Sequence, residues 1–297
     1  MALEGLHHIT AITGDAPANV DFYASRLGLR LVKKTVNFDA PDVYHLYFGD
    51  EIGTPGSILT FFEFPGAMRG RAGAGMVHRI LWRVGSDEAL DFWADRLGVA
   101  RDGATLRFAD PEGLEHELVV ARVPDAPLVA RADDVPAELA LRGFHGVRAY
   151  AAAPERSTGL LDALGFADGE LAGDERRATY HYDAPPAERG IQGAGTVHHV
   201  AWSAADDAEL LAIRDRAVAA GAHATPIIDR QYFHSVYFRE PSGVLFELAS
   251  RDIGFTIDEP VETLGEALEL PPQHEHLRAQ LERSLTPLVN PRAASRA

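Results

Sequence analysis

The chain contains no cysteine. That excludes disulfides, zinc–thiolate sites, iron–sulfur clusters and cysteine nucleophiles, and it fits a reducing cytosol. No run of 18 apolar residues occurs among its 297 residues, so no membrane span is expected. The opening MALEGLHHITAIT lacks a basic n-region and a long apolar h-region, so a secretory signal is not expected and a cytoplasmic location is. Clustered basic charge is missing as well. With 28 Lys and Arg against 44 Asp and Glu the formal charge is −16, a poor match to phosphate, so nucleic acid is not an expected partner. There is no P-loop, no G-x-S-x-G and no G-x-G-x-x-G after a strand. The glycine-rich GRAGAG at 70–75 leads into a strand pattern and reads as a linker.

What is present is repetition. Four segments open alike: LHHITAIT from Leu6, VHRILWRV from Val77, FHGVRAYA from Phe144 and VHHVAWSA from Val197. Each has the alternation of a strand, and each is followed by an amphipathic helical pattern and further short strands. Three helical patterns run into Leu-Gly and the fourth ends Ala-Ala-Gly, the expected glycine C-cap. The period is about 55 to 70 residues, in the order β, α, then several β. Two modules also close alike. ADPEGLEHELVV places Glu117, and REPSGVLFELAS places Glu247, four residues after a turn glycine. Thr60 holds the same offset from Gly56 in module one, and module three shows no clear counterpart.

These motifs resemble the vicinal oxygen chelate superfamily, which includes glyoxalase I, bleomycin-resistance proteins and extradiol dioxygenases. LHHITAIT, GTVHHVAW, YFREPSGVLFELA and the downstream LPP are similar to its hydroquinone ring-cleaving branch. The resemblance covers nearly the whole chain. It implies an α+β fold of four βαβββ modules forming two half-barrel-paired domains, with mixed sheets and flanking helices. The expected division is 1–140 for modules one and two, 141–260 for modules three and four, and 261–297 for a tail. In the tail Leu277, Leu281 and Leu285 recur at i+4 on a short docking helix. VNPRAASRA is expected to fray, and His274 and His276 to lie at the surface.

Comparing the chain with itself singles out ligands. The first motif position is histidine in all four modules: His7, His78, His145 and His198. The second holds His8, Arg79, Gly146 and His199. Converging ligands cannot repeat in every module, so the selective second position is the candidate, giving His8, His199 and Glu247. Two imidazoles and one carboxylate make the facial triad of non-haem Fe(II) oxygenases, with about three positions left open. This demands that module one pack against module four. A buried carboxylate between Phe246 and Leu248 is costly unless paired or coordinated. Glu63 falls on the strand face opposite Thr60 unless a bulge intervenes, and Arg79 beside Glu117 reads as an ion pair.

Strand alternation places His7 and His198 on the faces opposite their neighbours, and their recurrence suggests a structural task. The resemblance instead implies supporting or acid–base roles for both. It likewise implies that Arg230 lies near substrate, Tyr237 near a metal-bound oxygen and Thr10 in the pocket wall; His234 stays open. The implied activity is ring cleavage of a hydroquinone or catechol with O₂, using Fe(II), with Mn(II) as the other cation. A glyoxalase-like isomerase would require a fourth protein ligand, and a resistance-type binding protein would need no metal. Self-association into a homo-oligomer is left open.

Overall fold

The computed structural model describes residues 3–294. Module one supplies β1 (Leu6–Thr13), β2 (Arg30–Asn37), β3 (Ala40–Gly49) and β4 (Ile58–Glu63). Module two supplies β5 (Met76–Val84), β6 (Thr105–Ala109) and β7 (Glu115–Val120). Module three supplies β8 (Phe144–Tyr150), β9 (Phe166–Ala167), β10 (Glu170–Ala172) and β11 (Arg177–Asp183). Module four supplies β12 (Val197–Ala204), β13 (Ile228–Asp229), β14 (His234–Arg239) and β15 (Leu245–Ser250). Two mixed sheets result. One runs β13-β14-β15-β12-β1-β4-β3-β2 and the other β6-β7-β5-β8-β11-β10-β9.

Module one therefore shares a sheet with module four, and module two with module three. The sheets cut across the sequence division at residue 140. The reason lies in the opening strands. Within its own module β1 pairs on one side only, in parallel with β4, and β12 likewise with β15. Their free edges satisfy each other's backbone groups by pairing antiparallel, as do those of β5 and β8.

The helices follow their caps. Asp15 accepts from the Ala18 amide at the start of α1 (Ala16–Val20), which continues through a wider turn to Arg26. Ser86 caps α2 (Asp87–Leu97), and Gly98 closes it at φ 68°, a left-handed conformation that glycine adopts without penalty. Gly165 closes α3 (Thr158–Leu164) in the same way, and Asp206 caps α4 (Asp207–Ala219). Leu90, Trp93, Leu210 and Ile213 are fully buried on these helices.

The tail docks as expected through α5 (Arg278–Ser284), with Leu281 and Leu285 buried. The expected fraying beyond Val289 is not what the chain does up to Ala294. Arg292 reaches back to Glu51 with two bonds of 2.9 Å. Residues 295–297 of that stretch lie outside the described residues. His274 bonds the Phe38 carbonyl at 3.0 Å.

One buried relay in the second sheet has a measurable pH signature. The Trp82 indole donates to Nδ1 of His116 (3.1 Å), His116 Nε2 lies 2.9 Å from the Tyr23 hydroxyl, and Tyr23 donates to Asp110 (3.0 Å). An indole N–H can only donate, so Nδ1 is unprotonated and Nε2 carries the hydrogen. Burial pushes His116 down from 6.5 to about 3. The unfolded chain thus takes up this proton as pH falls below about 6.5 while the folded chain resists it to about 3, so stability is lost across that window. Urea unfolding of a His116→Gln variant is expected to show a slope shallower by about 1.4 kcal/mol per pH unit between these limits. An unchanged slope would contradict the assignment.

Candidate metal centre and active site

All four first-position histidines occupy β-bulges. In the β1–β12 ladder, Leu6 faces Trp202 and His8 faces Ala201, so His7 is the extra residue. Thr10 faces His199 and Ala11 faces Val197, so His198 is the extra residue. The β5–β8 ladder skips His78 and His145 in the same manner. A bulge suspends alternation locally. Adjacent imidazoles therefore meet instead of pointing to opposite faces, as regular strands would have them. His7 Nδ1 lies 3.0 Å from His8 Nδ1, and His198 Nδ1 lies 2.7 Å from His199 Nδ1.

The second-position histidines converge across the sheet centre. β15, β12 and β1 are consecutive strands and carry Glu247, His199 and His8. His8 Nε2 and His199 Nε2 are 3.2 Å apart. Glu247 Oε2 lies 2.9 Å from His199 Nε2 and 3.3 Å from His8 Nε2. All three side chains are buried, Glu247 at 0% exposure.

Hydrogen-bond logic sets the imidazole tautomers. The Ser250 carbonyl lies 3.0 Å from His7 Nε2 and can only accept. His7 Nε2 thus carries hydrogen, its Nδ1 accepts from His8 Nδ1–H, and the His8 Nε2 lone pair faces Glu247. This is the arrangement by which an outer group prepares a histidine for a cation. Burial pushes His199 down, with Glu247 offsetting part of that effect, so its imidazole is neutral at neutral pH; with Nδ1–H donated to His198 Nδ1, 2.7 Å away, Nε2 is left for a cation. For Glu247, burial acts upward, but the neighbouring imidazoles hold the carboxyl well below the usual range. One of its oxygens accepts from Ser235. The other, Oε2, is buried without a hydrogen bond of acceptable geometry. A buried anionic oxygen in that state, aimed between two imidazole lone pairs, fits a divalent cation.

The cluster opens into a cavity of about 510 Å³. Thr10, His198, Arg230 and Tyr237 line it, together with the apolar rings Phe38, Phe62 and Phe233. Burial, and then the charge of Glu247, push the Tyr237 phenol well up, so it stays protonated. Arg230 Nε donates to Tyr237 at 3.2 Å, and its Nη1 lies 3.1 Å from Asp39 on the β2–β3 turn. His198 is pushed down to about 4, chiefly by burial and then by His199. His7 is lowered to about 3, chiefly by burial, and spends both nitrogens on His8 and Ser250 away from the cavity lining. His234 does not line the cavity and pairs with Asp207 at 2.7 Å.

The repeat equivalences hold in register. Thr10 faces Thr60 as Ala201 faces Glu247. Thr60 thus takes the place of a second carboxylate, and its hydroxyl bonds Thr10 (2.9 Å) and His45 (2.8 Å). Glu63, the other candidate, accepts from the Ala16 amide at the start of α1. In the second sheet, Arg79 and Arg107 bond Glu117 at 3.1 and 3.0 Å, and Arg148 pairs with Asp183. There guanidinium supplies the charge. The closing slot of module three, not evident from its sequence, is His181, opposite Arg148. His45 and Tyr47 were also not singled out by sequence reading. Their signal is the shared Tyr-Phe pair: Tyr47 faces Thr60 as Tyr237 faces Glu247.

This double module and its converging imidazole and carboxylate groups define a class that comparison with known proteins identifies. The model of the Glyoxalase/Bleomycin resistance protein/Dioxygenase superfamily matches residues 5–118 and 86–248, and the chain belongs to that superfamily. Among its relatives, Bacillus subtilis MhqO, provisionally designated a ring-cleaving dioxygenase, is 41% identical over 301 residues, covering 95% of this chain and 96% of MhqO. The chlorohydroquinone/hydroquinone 1,2-dioxygenase of Sphingobium indicum is 34% identical over 330 residues, covering 97% and 98%. The crystal structure of a provisionally assigned dioxygenase from Bacillus subtilis superposes with a TM-score of 0.88 at 39% identity, covering 97% and 98% of the two chains. Glyoxalase I from Zea mays, at 14% identity, TM-score 0.58 and coverage of 84% and 92%, shares the fold. Among the described residues, no helix is long and apolar enough to cross a membrane.

Proposed function

We propose that this protein is a non-haem Fe(II) ring-cleaving dioxygenase acting on a hydroquinone- or catechol-type ring, with His8, His199 and Glu247 as the metal ligands. The observation that carries the reading is the count of three: the register partner that would supply a second carboxylate is Thr60. A cation held by these two imidazoles and one carboxylate would keep coordination positions open and would supply the Lewis-acid and electron-transfer chemistry that ring cleavage with O₂ needs. Mn(II) suits the same donors. An isomerase of the glyoxalase type would need the fourth ligand that Thr60 does not provide.

The surrounding side chains have separable tasks. His198 sets the tautomer of His199 as His7 sets that of His8, and its remaining Nε2–H donates to an oxygen at the cavity wall. His7 fixes the tautomer of His8 through the Ser250 carbonyl. Tyr237 and Arg230 donate to oxygen as negative charge develops on it, inside a cavity where such bonds are strong. Phe38, Phe62 and Phe233 flank an aromatic ring and exclude water.

Anaerobic loading with Fe(II) or Mn(II), followed by O₂-electrode assays on hydroquinone and catechol, tests the reading. The expected result is one O₂ consumed per ring lost, with Fe(II) the more active ion. No uptake with either ring, together with turnover of a glutathione hemithioacetal, would replace it with the isomerase.

A further inference from the structure

Behind Thr10 runs a buried chain of four hydroxyl and imidazole groups that metal binding does not use. Tyr47 OH lies 2.9 Å from His45 Nδ1, His45 Nε2 lies 2.8 Å from Thr60 Oγ1, and Thr60 Oγ1 lies 2.9 Å from Thr10 Oγ1. The first three residues sit on β3 and β4, and Thr10 is on β1 at the wall of the ligand cavity. Tyr47, Thr60 and Thr10 are at most 2% exposed and His45 is 9% exposed.

Such a chain can run in only two directions, because each member passes on one hydrogen. His45 and Tyr47 line the same cavity as Thr10, so both ends of the chain reach it. A phenol is a stronger donor and a weaker acceptor than an aliphatic hydroxyl, so the phenol hydrogen goes to the imidazole lone pair and the imidazole N–H to the threonine oxygen. The chain therefore runs toward Thr10: Tyr47 donates to His45 Nδ1, His45 Nε2–H to Thr60, and the Thr60 hydroxyl to Thr10. Thr10 has accepted from Thr60, so its own hydrogen points elsewhere, and the cavity is the space it faces.

We propose that Tyr47 and His45 are positioning residues that lock the Thr10 hydroxyl as a hydrogen-bond donor into the substrate cavity, beside the ligand cluster. The acceptor it serves is an oxygen carrying negative charge during ring cleavage. Thr60 is the coupling between them. Its place in module one is that of Glu247 in module four, so the slot that would bind metal instead orients a donor. The inference rests on the ring-cleaving reading; failure of that reading would show as Fe(II)-loaded wild-type protein that consumes no O₂ with hydroquinone.

The test is a double-mutant cycle on the Fe(II)-loaded full chain with hydroquinone as probe. Thr10→Val is expected to lower kcat/KM about tenfold, the size of one hydrogen bond to an anionic oxygen. Tyr47→Phe, which lets the chain reverse, is expected to lower it about three- to tenfold at unchanged iron content. In the Thr10→Val background, Tyr47→Phe should cost nothing further, because its effect passes through a hydroxyl already removed. Equal losses in both backgrounds, or no loss from Thr10→Val, would overturn the proposal. Should Tyr47→Phe fail to fold, His45 decides. His45→Gln offers a carbonyl to Tyr47 and an amide N–H to Thr60, keeps the direction, and should stay within about threefold of the wild type. His45→Leu should fall as far as Thr10→Val; equal losses for the two His45 variants would overturn the proposal.

Discussion

Replacing Glu247 by glutamine is expected to leave a folded protein that holds iron at least about a hundredfold more weakly and cleaves hydroquinone at least about a hundredfold more slowly. Disturbing a group outside the ligands of a metal typically costs 10–100-fold in affinity or activity, so loss of a ligand begins at the upper end. The charge matters more than the shape. Glutamine can still accept from Ser235, so the β14–β15 contact survives. It cannot place an anionic oxygen between His8 and His199, where Oε2 now sits without a hydrogen bond. Iron content by elemental analysis, hydroquinone turnover and a thermal melt, read together, check this. Wild-type activity in Glu247→Gln would remove Glu247 from the ligand set.

The converse substitution, Thr60→Glu, is expected to strengthen metal binding while abolishing ring cleavage. Register puts residue 60 against Thr10 as residue 247 is put against Ala201, so a glutamate at 60 enters the centre from the mirrored strand. It would occupy one position that the three-ligand site leaves for substrate or O₂. Turnover of hydroquinone should fall at least about a hundredfold, with slower metal loss to a chelator than in the wild type. Thr60→Ala, which empties the slot without adding a ligand, should lose no more than about tenfold, as only hydrogen bonds are removed. Metal loss with Thr60→Glu would mean crowding against His45 and Tyr47 rather than coordination. Retained activity would contradict the three-ligand count.

The candidate ligand set was legible in the sequence because the molecule repeats itself. Against His7, His78, His145 and His198, the second positions stand out by their selectivity, and His8 and His199 do meet Glu247. Alternation misled at the first positions. It placed His7 and His8 on opposite faces, whereas the bulge at His7 brings their Nδ1 atoms to 3.0 Å. A bulge depends on the partner strand's register, so neither strand alone reveals it. The sheet composition was partly legible. The demand that His8 meet His199 joined modules one and four, but the pairing of β5 with β8 rested on backbone edges that carry no side-chain signature. His45 escaped notice because its equivalent in module four is Ser235, and the Tyr-Phe pair beside each is what aligns them.

The arrangement as a whole reads as one duplicated half-site put to two uses. In modules two and three, Arg79 and Arg107 neutralise Glu117 and Arg148 pairs with Asp183, so no cation is required. In modules one and four two imidazoles flank a carboxylate to which, among the described residues, no guanidinium is bonded, and Arg230 bonds Tyr237 instead. The difference between a structural ion pair and a candidate metal centre comes down to the residue after each bulge.

The most direct measurement is a crystal structure of the anaerobically reconstituted protein with anomalous data at the iron edge. The account predicts one iron per chain, bound by His8 Nε2, His199 Nε2 and a Glu247 oxygen, with no ligand from Thr60 or Glu63 and no iron near Arg79 and Glu117. A fourth protein ligand, or a metal peak away from His8, would contradict it.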